Sequence, residues 1–198
     1  MLRFITLTNT NTPIFNENIQ TYTYLLDILR EKDSSQLIRN DSFSHATVLV
    51  ENLVNHAKEE ILIYSSVFCE AFYLNDPIKE AFESSHKRGV TVKVLVHYNL
   101  SGKEDTIGQK KTIKMYLDEI YKDSNIAIKY LDGSKSINLA NMKLNNFLVT
   151  DKKSFRYEKS TPSKQACISN TTMSTEAVGS LNDNETATLL TDAFNNTF

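Results

Sequence analysis

Between residues 42 and 131 the sequence switches repeatedly between a helical and an extended period, and this alternation restricts the fold more than any other feature. Ser42 can cap a helix whose apolar positions, Ala46, Val50, Leu53, Val54 and Ala57, recur at helical spacing. Ile61 to Val67 then reads as a strand, followed by a loop carrying Cys69, Phe72 and Tyr73. Asp76 stands as a cap before Pro77 at the first helical position, and that helix is expected to end near Arg88-Gly89. The segment TVKVLVHY at 91–98 is β-branched and mostly apolar, as a strand buried on both faces must be. Residues 106–122 predict a further helix through Ile107, Ile113, Leu117, Ile120 and Tyr121, and Ile126 to Leu131 a further strand. Strands alternating with helices predict the α/β class: a mostly parallel mixed sheet flanked by helices.

Beyond residue 140 the period changes. Phe147–Val149 and Phe155–Tyr157 predict two strands around the turn Asp151-Lys-Lys, which adds an antiparallel hairpin. A short strand is expected at 166–169. A closing helix is expected at 184–195, with Ala187, Leu189, Leu190 and Phe194 apolar. The first forty residues read differently. Leu2–Leu7 suits a strand, Asn9–Pro13 is a polar turn, and Ile19, Tyr22, Leu25, Leu26 and Leu29 share one helical face. The expected organisation is therefore an N-terminal arm at 1–40, made of a strand and a helix, and one domain at 41–198.

Composition excludes several classes. Among 198 residues, 22 Lys and Arg stand against 24 Asp and Glu, which argues against a uniformly basic nucleic-acid coat and leaves room only for a local patch. Two cysteines, Cys69 and Cys167, make neither a disulfide framework nor a zinc site. No apolar run approaches the ~20 residues of a spanning helix, and the start of the chain lacks a signal-peptide core. A soluble, cytoplasmic protein without membrane contact is the expectation. The sequence holds no G-x-G-x-x-G, Walker A, G-x-S-x-G or metal-spaced Cys/His set, so no cofactor and no metal are expected.

Three stretches in order carry a resemblance. EEILIYSSVF is followed by a polar loop and IKEAFESSHKRGVTVKVLVHY, and NNFLVTDKKSFRYE comes downstream. Together they resemble the phospholipase D superfamily, over roughly four fifths of the chain, and match single-repeat members best. The resemblance implies a half-unit that pairs as a homodimer, because each half supplies one H-x-K-x4-D signature to a shared phosphodiesterase centre. There one histidine attacks phosphorus and the other protonates the leaving oxygen, while Lys and Asn side chains hold the phosphate oxygens.

In this chain that signature is degenerate. With Asp151 as its terminal acid, the histidine position holds Leu144 and the lysine position Asn146, and no His-x-Lys occurs anywhere. Leucine carries neither a nucleophile nor a proton, and asparagine brings a donor without charge. Gly179-Ser-Leu-Asn182 repeats the family's G-S-x-N, but later in the chain than that motif should fall, so the match reads as coincidence.

Arg156 and Glu158, two apart on a predicted strand, point to one face. With Asn146 and Asn170, they are the candidate ligand-binding residues. Two readings stand: a pocket in which Arg156 takes an anion, or an internal ion pair in place of the lost machinery. Lys110 and Lys114, one helical turn apart, either track a phosphate backbone or form a solvated face. His97 closes its strand at the carboxyl end, where ligands of open α/β sheets gather. The other three histidines are better placed for structural or solvated roles. The favoured function is a non-catalytic phospholipase D-like homodimer that binds a phosphate-bearing ligand, nucleic acid foremost, or a protein partner. The alternative is a phosphodiesterase or nuclease rebuilt around His97, Asp151, Arg156 and Glu158. A third reading is a structural subunit whose old cleft is filled.

Overall fold

The computed structural model describes residues 13–14, 18–40, 42–65, 70–73, 75–97, 126–131, 137–139, 142–159 and 176–198. The expected strand at 2–7, helix at 106–122 and strand at 166–169 lie outside the described residues, as do Lys110, Lys114 and Asn170.

Helix α1 (Ile19–Glu31) begins where Asn18 accepts a hydrogen bond from the Thr21 amide, and it buries Tyr22, Leu26 and Leu29. Strand β1 (Ile38–Arg39) follows, and then α2 (Phe43–His56), capped by Ser42 as its sequence predicts. Strand β2 (Glu60–Ser65) leads to the short helix α3 (Glu70–Tyr73) and to α4 (Asp76–Lys87). The cap of α4 is Asn75 rather than Asp76: the Asn75 side chain accepts from the Ile78 amide, and Pro77 sits within the first turn. Asp76 instead adds negative charge at the positive end of the helix. Gly89, at φ +78, turns the chain out of α4 into β3 (Thr91–His97).

Strand β4 (Ile126–Leu131) follows the expected bounds. A small hairpin of β5 (Asn138–Leu139) and β6 (Met142–Lys143) precedes β7 (Phe147–Thr150) and β8 (Ser154–Glu158). The turn between β7 and β8 carries Asp151 and Lys152 at φ 54 and 51. Strand β9 (Ala177–Ser180) and helix α5 (Asn184–Asn195) complete the described elements.

Among the described residues, seven strands form one mixed sheet in the order β1-β9-β8-β7-β2-β3-β4. Strands β2, β3 and β4 are parallel, and the rest of the sheet is antiparallel. Alternation along β2 divides the core into two layers. Ile61 and Ile63 face α1, α2 and α4, whereas Leu62 and Tyr64 face α5 with Phe147, Val149, Leu190 and Phe194. The near-continuous burial of EILIYS follows from this covering of both faces.

Residues 18–40 do not stand apart as an arm. Tyr22, Leu26 and Ile38 are fully buried in the same core as α2, and β1 pairs with β9 at the sheet edge. Arg30 fastens α1 to α2 through Nε and Nη2, both donating to Asn52 Oδ1. Burial lowers the pKa of this guanidinium, while Asp27 and Asp33 act in the opposite direction. Between α2 and α4, Glu51 has its carboxyl pKa raised by burial and by the charge of Glu80.

Candidate functional site

The carboxyl ends of β2 and β3, the end of the sheet where open α/β folds bind ligands, coincide with the start of β7 and the end of β8. This follows from register: β7 runs antiparallel to β2 with Tyr64 opposite Phe147, and β8 antiparallel to β7 with Phe147 opposite Tyr157. Strand β1 ends there too, since the Asn40 amide bonds the Ala177 carbonyl at the start of β9.

Four polar side chains converge at this end. The Arg156 guanidinium donates through Nη1 to Glu158 Oε1 at 2.6 Å and through Nε to Asn40 Oδ1 at 2.7 Å. Asn146 Nδ2 donates to the other Glu158 oxygen at 2.7 Å. Phe72 of α3 lies against the guanidinium, with Arg156 Cζ 5.9 Å from its ring centroid. All five residues are buried: Asn40 is 0 % exposed, Asn146, Arg156 and Phe72 are 7 %, and Glu158 is 8 %. Both carboxylate oxygens of Glu158 are thus engaged, and the Arg–Glu pair sums to zero charge.

Asn146, Arg156 and Glu158 are therefore brought together. His97 ends β3 at the same end of the sheet, with Leu131 as its register partner. Asp151 does not join them. It lies at the opposite end, four residues along β7 and about 13 Å away by strand rise. Its Oδ2 accepts from the Lys58 amide, and its Oδ1 accepts from the amides of Glu59 and Glu60 at 2.8–3.0 Å. This carboxylate organises the entry to β2, which removes it from the cluster expected from sequence. Leu144 is 2 % exposed in the α5-side apolar layer with Ile137 and Phe147. In that layer burial raises the pKa of the Tyr64 phenol, while a backbone hydrogen bond with Ile137 opposes the shift.

The Gly179-Ser-Leu-Asn182 run starts beside the polar cluster, with Gly179 opposite Arg156 in register, and leads away from it. Gly179 serves close packing on β9, and Asn182 Nδ2 donates to the Asp33 carbonyl. Sequence reading missed Asn40 as a site residue, since nothing local in a polar connection marks a side chain positioned by pairing with β9. Among the described residues no three His, Cys, Asp or Glu are grouped to hold a metal ion, and no described helix is long and apolar enough to cross a membrane.

Searches by sequence match no family model and no curated protein. Fold comparison does find similar structures. Nuc from Salmonella typhimurium, a phospholipase D family member, covers 81% of this chain and 91% of its own at a TM-score of 0.52 and 18% identity. The chain has a phospholipase D-like fold. NucT from Helicobacter pylori is similar over 81% of this chain and 95% of its own, at a TM-score of 0.53 and 17% identity. TrmBL2, an archaeal chromatin protein whose structure shows a novel mode of DNA binding, covers 90% of this chain and 60% of its own, at 0.50 and 17%.

Proposed function

We propose that this phospholipase D-like protein is non-catalytic and binds nucleic acid by its phosphate backbone, as a homodimer. The observation that carries the reading is the buried Asn40–Arg156–Glu158–Asn146 network at the carboxyl end of the parallel strands. Phosphodiester cleavage needs a nucleophile and a proton donor there. Arg156 is neither a nucleophile nor an acid of the usual kind, and Glu158 has both oxygens committed. A guanidinium and two amides, by contrast, suit the recognition of a phosphate that is not cleaved. The DNA binding of TrmBL2, on a related fold, supports the choice of nucleic acid over other phosphate carriers. Lys110 and Lys114 are proposed to add contacts to the backbone.

Electrophoretic shift of labelled single- and double-stranded DNA and RNA over a salt series tests this reading. Binding should appear at about 50 mM salt and weaken linearly in log K against log salt. Replacing Lys110 and Lys114 together by Ala should reduce the slope by about 1–2. No shift at low salt, or an unchanged slope in the double variant, contradicts the nucleic-acid reading or the lysine contacts respectively. A shift with no salt dependence contradicts backbone recognition.

A further inference from the structure

The geometry points to Asn40 and Arg156 as a two-donor seat for a single phosphodiester group, in which the N-terminal β1 segment supplies half of the recognition. This inference rests on the nucleic-acid reading above and deepens it. A guanidinium carries five N–H donors in a fixed fork. Arg156 commits Nε to Asn40 and one Nη1 hydrogen to Glu158, and Nη2 donates to no described residue. Asn40 is fully buried, its Oδ1 is taken by Arg156, and its Nδ2 has no hydrogen-bond partner among the described residues. A buried donor without an acceptor is costly and rare in native proteins, so such an atom marks a place where an acceptor belongs.

Nη2 and Nδ2 belong to the two groups joined by the 2.7 Å Nε–Oδ1 contact. They are therefore at most roughly 7 Å apart, a span that one phosphate bridges with a hydrogen bond to each of its two free oxygens. Phe72 lies on one side of the guanidinium, its ring centroid 5.9 Å from Arg156 Cζ. Arg156 keeps 7 % exposure, whereas Asn40 has none.

Charge selects among phosphates. Arg156 and Glu158 already cancel, so an entering monoanion leaves the buried cluster at a single negative charge and a dianion leaves it at two. The second charge is far more costly in a desolvated site. The seat therefore takes an internal phosphodiester in preference to a terminal or inorganic phosphate.

Side-chain ¹H–¹⁵N spectra of the full chain, titrated with dimethyl phosphate and separately with inorganic phosphate, test the seat. In parallel, an oligonucleotide without terminal phosphates is titrated with wild type and with Asn40→Ser. The Asn40 amide and Arg156 guanidinium resonances should move with dimethyl phosphate, and less with inorganic phosphate. Asn40→Ser should weaken oligonucleotide binding about tenfold. Resonances unmoved by dimethyl phosphate, with the oligonucleotide held equally by both proteins, would overturn the seat and leave the nucleic-acid reading intact. Resonances that move while wild type holds no oligonucleotide would keep the seat and remove that reading. A larger response to inorganic phosphate would overturn the preference for the diester. No response in either experiment would remove both.

Discussion

Glu158→Ala is expected to destabilise the protein by about 3–5 kcal/mol, because it leaves the Arg156 charge buried without a counter-ion. The two side chains are 9% and 10% exposed, too little for water to replace the missing carboxylate. Asn146 Nδ2 loses its acceptor in the same step. The cost of breaking such a pair is not its net worth. Replacing both members with apolar residues of similar length, Arg156→Met with Glu158→Leu, should cost much less than the sum of the two single alanine changes. Urea midpoints at constant m-value measure this. A loss under about 1 kcal/mol for Glu158→Ala would show that the pair is effectively solvated and that the network is not buried.

The second large effect is expected at Gly179, opposite Arg156 in the register of β8 with β9. A Cβ there would lie 2.7 Å from Leu49 Cδ2 of α2 and 2.7 Å from the Phe155 carbonyl oxygen. A leucine methyl can swing away, but a backbone oxygen within a sheet cannot. Gly179→Ala should therefore cost about 3 kcal/mol, at the upper end of ordinary overpacking. Leu49→Ala alone opens a cavity at a fully buried position and should cost about 2–5 kcal/mol. Combined, the two should cost less than their sum, since the shortened side chain relieves one of the two clashes. Strict additivity would show that α2 and β9 do not meet as closely as the packing indicates.

What the sequence made legible was set by the range of the interactions. The Ser42 cap and the apolar spacing of α2, the β-branched run of β3, and the helix at 184–195 are decided by neighbours a few residues away, and periodicity finds them. The hairpin of β7 and β8 was likewise visible from two apolar runs around Asp151-Lys-Lys. Strand β1 has two residues and β9 has four, so neither carries a period of its own; β9 is set by its pairing with β8, and β1 by pairing with β9 across some 140 residues of chain. The same long-range pairing places Asn40, which a local reading leaves in a polar connection.

Arg156 and Glu158 were legible as a pair because a strand puts residues two apart on one face. Their closure by Asn40 and Phe72 was not, since those contacts depend on how β1 and α3 pack. Asp151 shows the opposite failure. Its place in the motif drew it into the site, whereas its carboxylate serves backbone amides more than ninety residues earlier, at the other end of the sheet.

Single-turnover hydrolysis of labelled DNA and RNA and of bis-p-nitrophenyl phosphate, with and without EDTA, on wild type and His97→Ala, tests the central claim most directly. The account predicts no cleavage above the buffer control in either protein. Cleavage by wild type that is lost in His97→Ala would contradict it and make this a phosphodiesterase rebuilt around a histidine.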